Sequence, residues 1–203
     1  MVRSKQINEQ MRAESQEKIL TAARQVFASQ GYFNCTVSDI AQQAGMSQGN
    51  LYWYYPSKEK LLKAILADGF SSVEQVLVDA QEYEGDGQAK IEYLIDRYLK
   101  LSQAQGDFTA IFMSLLGHGG APLLQQMGFD PLQIGTRYHQ HLSAIFAQAR
   151  AEGAVADIDP NILTVFFFSF YNGLLITYGE DLTMIPENLI RQALLRLLGN
   201  PAA

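Results

Sequence analysis

The sequence predicts an all-α protein, and three observations support this prediction. Apolar residues recur at helical spacing along most of the chain. No segment shows the apolar–polar alternation of a strand. Helix-capping and helix-stopping residues, such as Asp159-Pro160 and Gly31, stand between the periodic segments. With 203 residues, 48% of them hydrophobic, the chain is long enough to bury the core of one large domain or two small ones.

A stretch in the first third of the chain predicts two short helices joined by a tight turn. Thr36 and Asp39 fit a capping box at the start of the first helix. Gly45 follows that helix at the point where a left-handed residue would end it, and Ser47 can cap a second helix over residues 48–54. A helix of about eight residues, a glycine turn and a second short helix form a helix-turn-helix.

The second of these helices carries more polar and aromatic side chains than a small core can bury. Gln48 and Asn50 are of the two types that pair bidentately with an adenine edge, and Gly49 allows a close approach of the backbone. Tyrosine hydroxyls and the ammonium of Lys58 suit phosphate oxygens. The predicted DNA-binding residues are Thr36, Ser47, Gln48, Gly49, Asn50, Tyr52, Trp53, Tyr54 and Lys58.

The charge of the chain is divided unevenly between its two parts. The net charge is −6, but residues 1–63 hold eight Lys and Arg against five Asp and Glu, a net +3. Residues 64–203 hold the other seven bases and sixteen acids, a net −9. This asymmetry is typical of a DNA-facing domain on an acidic body.

The run GYFNCTVSDIAQQAGMSQGNLYWYYPSKEKLLKAIL, with ILTAARQVFASQG before it, resembles the N-terminal DNA-binding domain of the TetR family of bacterial transcriptional regulators. The resemblance covers roughly residues 19–66, about a quarter of the chain. The sequence departs from the family at Trp53-Tyr54-Tyr55, where the family more often has Tyr or Arg, then His or Tyr, then Phe. The resemblance implies a homodimer and a small-molecule effector pocket in the C-terminal region.

The expected domains are residues 1–60, the helix-turn-helix DNA-binding domain, and residues 61–203, a helical bundle that binds the effector and dimerises. Within the first, residues 1–13 are either a basic arm that enters the minor groove or a solvated flexible tail. A helix capped by Ser57 continues from the first domain into the second, so tilting it would move the recognition helix. The other predicted helices cover residues 15–30, about 91–101, 108–117, about 134–149, 160 to about 178, and a last one from Pro186; residues 121–133 are irregular or a short helix.

Residues 160–179 carry no charge and are long enough to span a bilayer. Their flanks are acidic, however, and polar residues interrupt the run, so no membrane partner is expected. A helix that is apolar on every side is buried on every side. We therefore expect this helix and the last one to form a four-helix interface between two copies of the chain.

The C-terminal region is rich in aromatic residues, most of which belong to a core. Apolar cavities between helices are also where small molecules bind, which indicates an apolar or aromatic effector. Asn172, a polar amide in an apolar helix, is either a polar contact for that effector or an interface hydrogen bond. The candidate ligand-binding residues are Tyr98, Phe112, Tyr138, Phe170 and Asn172.

No catalytic, metal or cofactor site is predicted. His139 and His141 are two residues apart and so lie on different helix faces, and no nucleophile, phosphate-binding or dinucleotide motif occurs. The single cysteine and an N-terminus without an apolar core favour a cytoplasmic protein. The sequence predicts a DNA-binding repressor released from a palindromic operator by an effector; the alternative is a helical scaffold or partner-binding protein without specific DNA binding.

Overall fold

The computed structural model describes the backbone of residues 2–178 and 184–199, and their side chains apart from those of residues 2–8, 105 and 106. The described residues form nine α-helices and no strand, so the predicted all-α class is confirmed. The helices are α1 (Val2–Gln30), α2 (Val37–Gln43), α3 (Gln48–Tyr54), α4 (Lys58–Glu82), α5 (Gly87–Gly117), α6 (Ala121–Gln126), α7 (Pro131–Ala151), α8 (Pro160–Tyr178) and α9 (Glu187–Leu197).

The chain divides into two compact units. The N-terminal unit comprises Met1–Asp68 and Ile111–Gly119, and the C-terminal unit comprises Gly69–Ala110 and Gly120–Ala203. The division therefore falls inside α4 and again inside α5, and each of these helices contributes residues to both units. The boundary after residue 60, between the DNA-binding domain and the helical bundle, stays a prediction.

The first helix is longer than the sequence pattern predicts. It begins at Val2, whereas the apolar periodicity predicts a start at Ser15, so residues 2–13 continue the helix instead of forming an irregular arm. Residues 1–13 contain neither Gly nor Pro and are rich in Arg, Lys, Gln, Glu and Met, which lose little free energy in a helix. Apolar periodicity does not detect such a polar helical segment.

The fifth helix corrects a second expectation. It runs without a break from Gly87 to Gly117, so the predicted new start with Asp107 as its N-cap is wrong. A Gly or an Asp inside a helix costs only about 1 kcal/mol or less relative to Ala. Leu94, Tyr98 and Phe108 are buried on either side of the predicted break. Burying such a side chain contributes roughly 1.5–3 kcal/mol, which outweighs the local cost.

Two of the predicted helix starts in the C-terminal unit are confirmed. The carboxylate of Asp159 accepts the backbone N–H of Asn161 at 2.8 Å at the start of α8, and α9 follows Pro186. The start of α7 differs from the prediction: the helix begins at Pro131 and not near Ile134, and the carboxylate of Asp130 caps it by accepting the N–H of Leu132 at 3.0 Å. Between these helices, residues 121–126 form the short helix α6. Aspartate side chains thus cap the starts of α7 and α8, whereas α6 and α9 begin without a side-chain cap.

A cluster of aromatic rings fills the interior of the C-terminal unit. Phe167 is fully buried and packs edge-on against Tyr98, with ring centres 5.5 Å apart. The hydroxyl of Tyr171 donates to the carbonyl of Tyr98 at 2.7 Å, and that of Tyr138 donates to the carbonyl of Phe70 at 2.7 Å. Burial raises the pKa of all three tyrosines above the ordinary value. These rings join α4, α5, α7 and α8 within this unit.

One side of α8 is buried in the C-terminal unit and the other is exposed. The buried residues are Leu163, Thr164, Phe167, Tyr171 and Leu175. Ile162, Val165, Phe166 and Ile176 are exposed, each by more than a third. Among the described helices, α8 alone has the length and apolar composition of a membrane span, and 28% of its most apolar window is buried. A single copy of the chain thus buries only part of this helix.

Candidate nucleic-acid interface

The helix-turn-helix is held in shape by local hydrogen bonds. The hydroxyl of Thr36 accepts the N–H of Asp39 at 3.2 Å, and the Asp39 carboxylate accepts the N–H of Thr36 at 2.8 Å. The predicted capping box is therefore confirmed, with Asp in place of the usual Glu or Gln. The bonds from Thr36 also lower the pKa of the Asp39 carboxyl, the backbone bond contributing most. The carboxylate is thus charged at neutral pH and fixes the start of α2.

The turn between α2 and α3 depends on a left-handed residue. Gly45 has a φ of 62°, a conformation in which a β-carbon would crowd the backbone. The N–H groups of Gly45 and Met46 bond back to the carbonyls of Gln42 and Ala41, and so close the end of α2. The hydroxyl of Ser47 then accepts the N–H of Asn50 at 3.2 Å and caps α3. The predicted turn and cap are confirmed.

The third helix is anchored by one residue and presents the others to solvent. Leu51 is fully buried, and it is the only buried residue of this helix. Tyr52 and Trp53 are 46% and 64% exposed, which is unusual for large aromatic side chains. We call the exposed residues of this helix the α3 face; they are Gln48, Gly49, Asn50, Tyr52 and Trp53. The amides predicted to meet base edges thus lie on an open surface.

The ammonium group of Lys58 bonds to backbone carbonyls within the N-terminal unit, which the prediction of a phosphate contact did not include. Its ammonium donates to the carbonyl of Tyr32 at 2.6 Å and to that of Cys35 at 2.7 Å, and lies 4.5 Å from the centre of the Tyr32 ring. Two of its three protons are therefore used inside the N-terminal unit. Lys58 ties the start of α4 to the loop before α2, and its contact with phosphate stays a prediction.

The loop that Lys58 holds is partly buried. Cys35 is buried, and burial raises the pKa of its thiol although Lys58 acts in the opposite direction. Burial likewise raises the pKa of Tyr32 to about 12, with a further contribution from Glu59. Both groups are consequently neutral at physiological pH. Cys35 is thus a small buried thiol in this structure.

One contact of this surface was not predicted from the sequence. The guanidinium carbon of Arg12, on α1, lies 5.0 Å from the centre of the Trp53 ring. The Trp53 ring also meets the edge of Tyr54, with ring centres 4.7 Å apart and planes at 90°. Neither the spacing nor the periodicity of the sequence links Arg12 to α3, since Arg12 lies in the part of α1 that precedes the predicted start at Ser15.

The candidate ligand-binding residues are divided between the two units, and their role stays a prediction. Tyr98 and Tyr138 are buried in the C-terminal unit, whereas Phe170 and Asn172 are half-buried on α8. Phe112 belongs to the part of α5 in the N-terminal unit. The fully buried rings of Phe146 and Phe167, which the prediction omitted, lie nearer the centre of the aromatic cluster. Within the described side chains, no group of three or more His, Cys, Asp or Glu could hold a metal ion.

The fold and this surface define a helix-turn-helix domain joined to a helical C-terminal unit, and comparison with known proteins agrees. The family described as "Bacterial regulatory proteins, tetR family" matches residues 19–65. The fatty acid metabolism regulator protein of Bacillus subtilis is 31% identical over 141 residues, which are 69% of this chain and 70% of that protein. The chain therefore belongs to the TetR family, which is a family of regulatory proteins and not of enzymes.

One further relative matches over a shorter stretch, and one solved structure shares the fold at lower identity. The regulator SrpR of Pseudomonas putida is 39% identical over 54 residues, so that the alignment spans 27% of this chain and a quarter of that protein. The crystal structure of the TetR-family regulator PfmR of Thermus thermophilus superposes with a TM-score of 0.71 at 20% identity, covering 89% of this chain and 96% of that one. This likeness extends the shared fold to the C-terminal unit.

Proposed function

We propose that this protein is a dimeric DNA-binding transcriptional regulator of the cytoplasm, a repressor that a small-molecule effector releases from a palindromic operator. The observation that carries the proposal is the α3 face: a short helix fixed by one buried leucine presents two amides, a glycine and two aromatic rings to solvent. Amide side chains can read adenine edges, and a glycine permits a close approach of the backbone. Membership of the TetR family supports the same function.

The exposed apolar residues of the C-terminal unit support a homodimer. Val165 and Phe166 of α8 and Leu189 and Leu197 of α9 are each between 39% and 54% exposed. Exposed apolar side chains of this kind are typical of protein interfaces. A second copy of the chain, packed through the same two helices, would bury them. Helix-turn-helix dimers read two half-sites that are about 34–36 Å apart or a multiple of that distance, which gives the operator its symmetry.

The effector is proposed to be apolar and to bind in the C-terminal unit. Its aromatic interior, with the buried hydroxyl groups of Tyr98, Tyr138 and Tyr171, matches the lining of a small-molecule pocket. The Bacillus relative is named a fatty acid metabolism regulator, which makes fatty acids the first effector class to test. Because α4 contributes residues to both units, we propose that the effector acts through this helix. To release the DNA, the effector need bind the conformation with low DNA affinity only a few kcal/mol more favourably than the other conformation.

Selection from random duplexes by the purified protein, at about 150 mM salt, tests the proposal. The proposal expects enrichment of a palindromic sequence and binding of one dimer per site. Fatty acids of increasing chain length would then be added to the complex, and release should depend on chain length. Enrichment of a sequence that is not palindromic would contradict recognition of the operator by a symmetric dimer. Weak binding of all duplexes alike would indicate instead a helical partner-binding protein that has kept the fold.

A further inference from the structure

A cation from the first helix lies beside the recognition helix. The guanidinium carbon of Arg12 is 5.0 Å from the centre of the Trp53 ring, within the range of a cation–π interaction. Trp53 is 64% exposed, so the pair stands on the same open surface as the α3 face. Lys18, further along α1, has its ammonium 3.8 Å from where a β-carbon of Gly45 would stand. The flank of α1 thus runs beside both the helix and the turn of the motif.

The charge of Arg12 is not neutralised within the described side chains. None of their carboxylates lies within ion-pair distance of Arg12, and Glu14 instead accepts a hydrogen bond from Gln10 at 3.0 Å. Arg24, on the same helix, differs because it is bound by Glu17 and Asp68 at 3.4 and 2.8 Å. A cation–π contact uses the face of the guanidinium and leaves its N–H groups, which lie in its plane, able to donate.

We propose that Arg12, positioned by the ring of Trp53, binds a backbone phosphate of DNA next to the α3 face. This inference rests on the proposed function and adds α1 to the DNA-binding surface. The guanidinium fork matches two phosphate oxygens. Contact with Trp53 orders the long side chain before DNA arrives, which lowers the entropy cost of binding. An arm in the minor groove is not required, because the segment that carries Arg12 is helical.

The experiment measures the salt dependence of binding to a random-sequence duplex of about 30 base pairs, from about 50 to 200 mM salt. Arg12→Ala should reduce the slope of log K against log salt by about 0.9 per subunit, since one phosphate contact is lost. Arg12→Lys should retain most of the slope but bind more weakly, because lysine lacks the fork. Arg150→Ala removes the same charge from an exposed position in the C-terminal unit and should leave the slope unchanged.

The role of Trp53 is tested by a double-mutant cycle. Trp53→Ala, Arg12→Ala and the double variant should show coupled losses of affinity, with the double variant losing less than the sum. Because both side chains are exposed, the thermal midpoints of all three variants should stay close to that of the unchanged protein. Additive losses would overturn the positioning by Trp53. An unchanged slope in Arg12→Ala, or an equal reduction in Arg150→Ala, would overturn the phosphate contact.

The failure of this inference can be distinguished from the failure of the proposed function. If the unchanged protein enriches a palindrome and Arg12→Ala keeps the full slope, the regulator stands and the Arg12 contact is overturned. If no sequence is enriched but Arg12→Ala still lowers the slope on random DNA, the contact stands and the operator-reading function fails. If the protein binds no duplex at any salt concentration, both are overturned.

Discussion

The two units of this protein differ in how the sequence specifies their functional parts. In the N-terminal unit, the bonds that shape the motif join residues three to five positions apart, as in the Thr36–Asp39 capping box and the turn at Gly45. In the C-terminal unit, the bonds of the aromatic interior join distant residues, such as Tyr171 to Tyr98 and Tyr138 to Phe70. A surface built from one helix can be predicted from local spacing, whereas an interior cavity depends on tertiary packing.

This difference has a functional counterpart. A DNA-reading surface needs outward-facing side chains on a helix of known orientation, and one anchor, Leu51, sets that orientation for α3. An effector site needs side chains from several helices to converge. Of the five residues predicted to line it, Phe112 lies in the other unit and only Tyr98 and Tyr138 are fully inside the described core. Four substitutions test this comparison.

The largest loss of stability is expected for a substitution in the aromatic interior of the C-terminal unit. Phe167→Ala removes a fully buried ring that contacts Tyr98, Phe146 and Tyr171. The free energy of unfolding should fall by about 3–5 kcal/mol, measured by urea denaturation with circular dichroism. Leu132→Ala, on the exposed side of α7, is the control and should change stability by less than about 0.5 kcal/mol. Equal effects of the two would mean that the aromatic cluster does not stabilise this unit.

Lys58 is an exception to this difference between the units, because its contacts are non-local although it lies in the N-terminal unit. Lys58→Ala would leave the part-buried carbonyls of Tyr32 and Cys35 without their donor. We expect the free energy of unfolding to fall by about 1–3 kcal/mol. Lys60→Ala, two residues away and exposed, is the matched control. If stability is unchanged and the salt slope of DNA binding falls by about one, Lys58 is the phosphate contact that the sequence predicted.

The sequence predicts most of the fold because helix ends carry short-range signals. Asp159 caps α8 as predicted, and Gly45 and Gly31 end helices with φ of 62° and 80°. The start of α1 was not predicted, because the polar segment before Ser15 has no apolar residues at regular helical spacing. The continuity of α5 was not predicted for a different reason. The burial of apolar side chains on both sides of Asp107 outweighs its weak local preference for starting a new helix.

In the candidate DNA-binding surface, too, features set by local spacing could be predicted and contacts between distant residues could not. The α3 face follows from the position of Leu51 and the helical period alone. The Arg12–Trp53 and Lys58–Tyr32 contacts join residues far apart in sequence, so no spacing rule indicates them. Lys58 was predicted to contact phosphate because it is a cation near the recognition helix. Its residue type alone does not show that its ammonium donates to two backbone carbonyls of its own unit.

Gln48 tests whether the α3 face reads sequence. Gln48→Ala should cost about 1–3 kcal/mol of binding free energy on the selected operator, because a bidentate contact with one base is lost. The loss should be confined to duplexes that carry the preferred base pair at one position, measured by competition among single-base variants. Gln126→Ala, an exposed glutamine of α6, should bind like the unchanged protein. A uniform loss across all variants would mean that Gln48 contacts the backbone and does not specify a base.

The smallest effect concerns the local hydrogen bonds that make the N-terminal unit predictable. The pKa of Asp39 is lowered in the folded chain, chiefly by the backbone N–H of Thr36, and its ordinary value is 3.8. A carboxyl whose folded pKa is depressed adds stability above the ordinary pKa, and this stability is lost as the pH falls through the depressed value. Asp39→Asn should therefore have a lower denaturation midpoint than the unchanged protein at pH 7. The difference should shrink below a pH of about 3.8.

Urea titrations of the two proteins at several pH values measure that difference. Asp157→Asn, at a side chain that is 99% exposed, is the control for the removal of one carboxylate from the chain. A gap of constant size across the acid range would mean that the Asp39 carboxylate does not gain its stability from the capping bonds. The start of α2, and with it the orientation of α3, would then depend on packing beneath Ile40 and Leu51. In that case the N-terminal unit would be specified by tertiary contacts in the same way as the C-terminal unit.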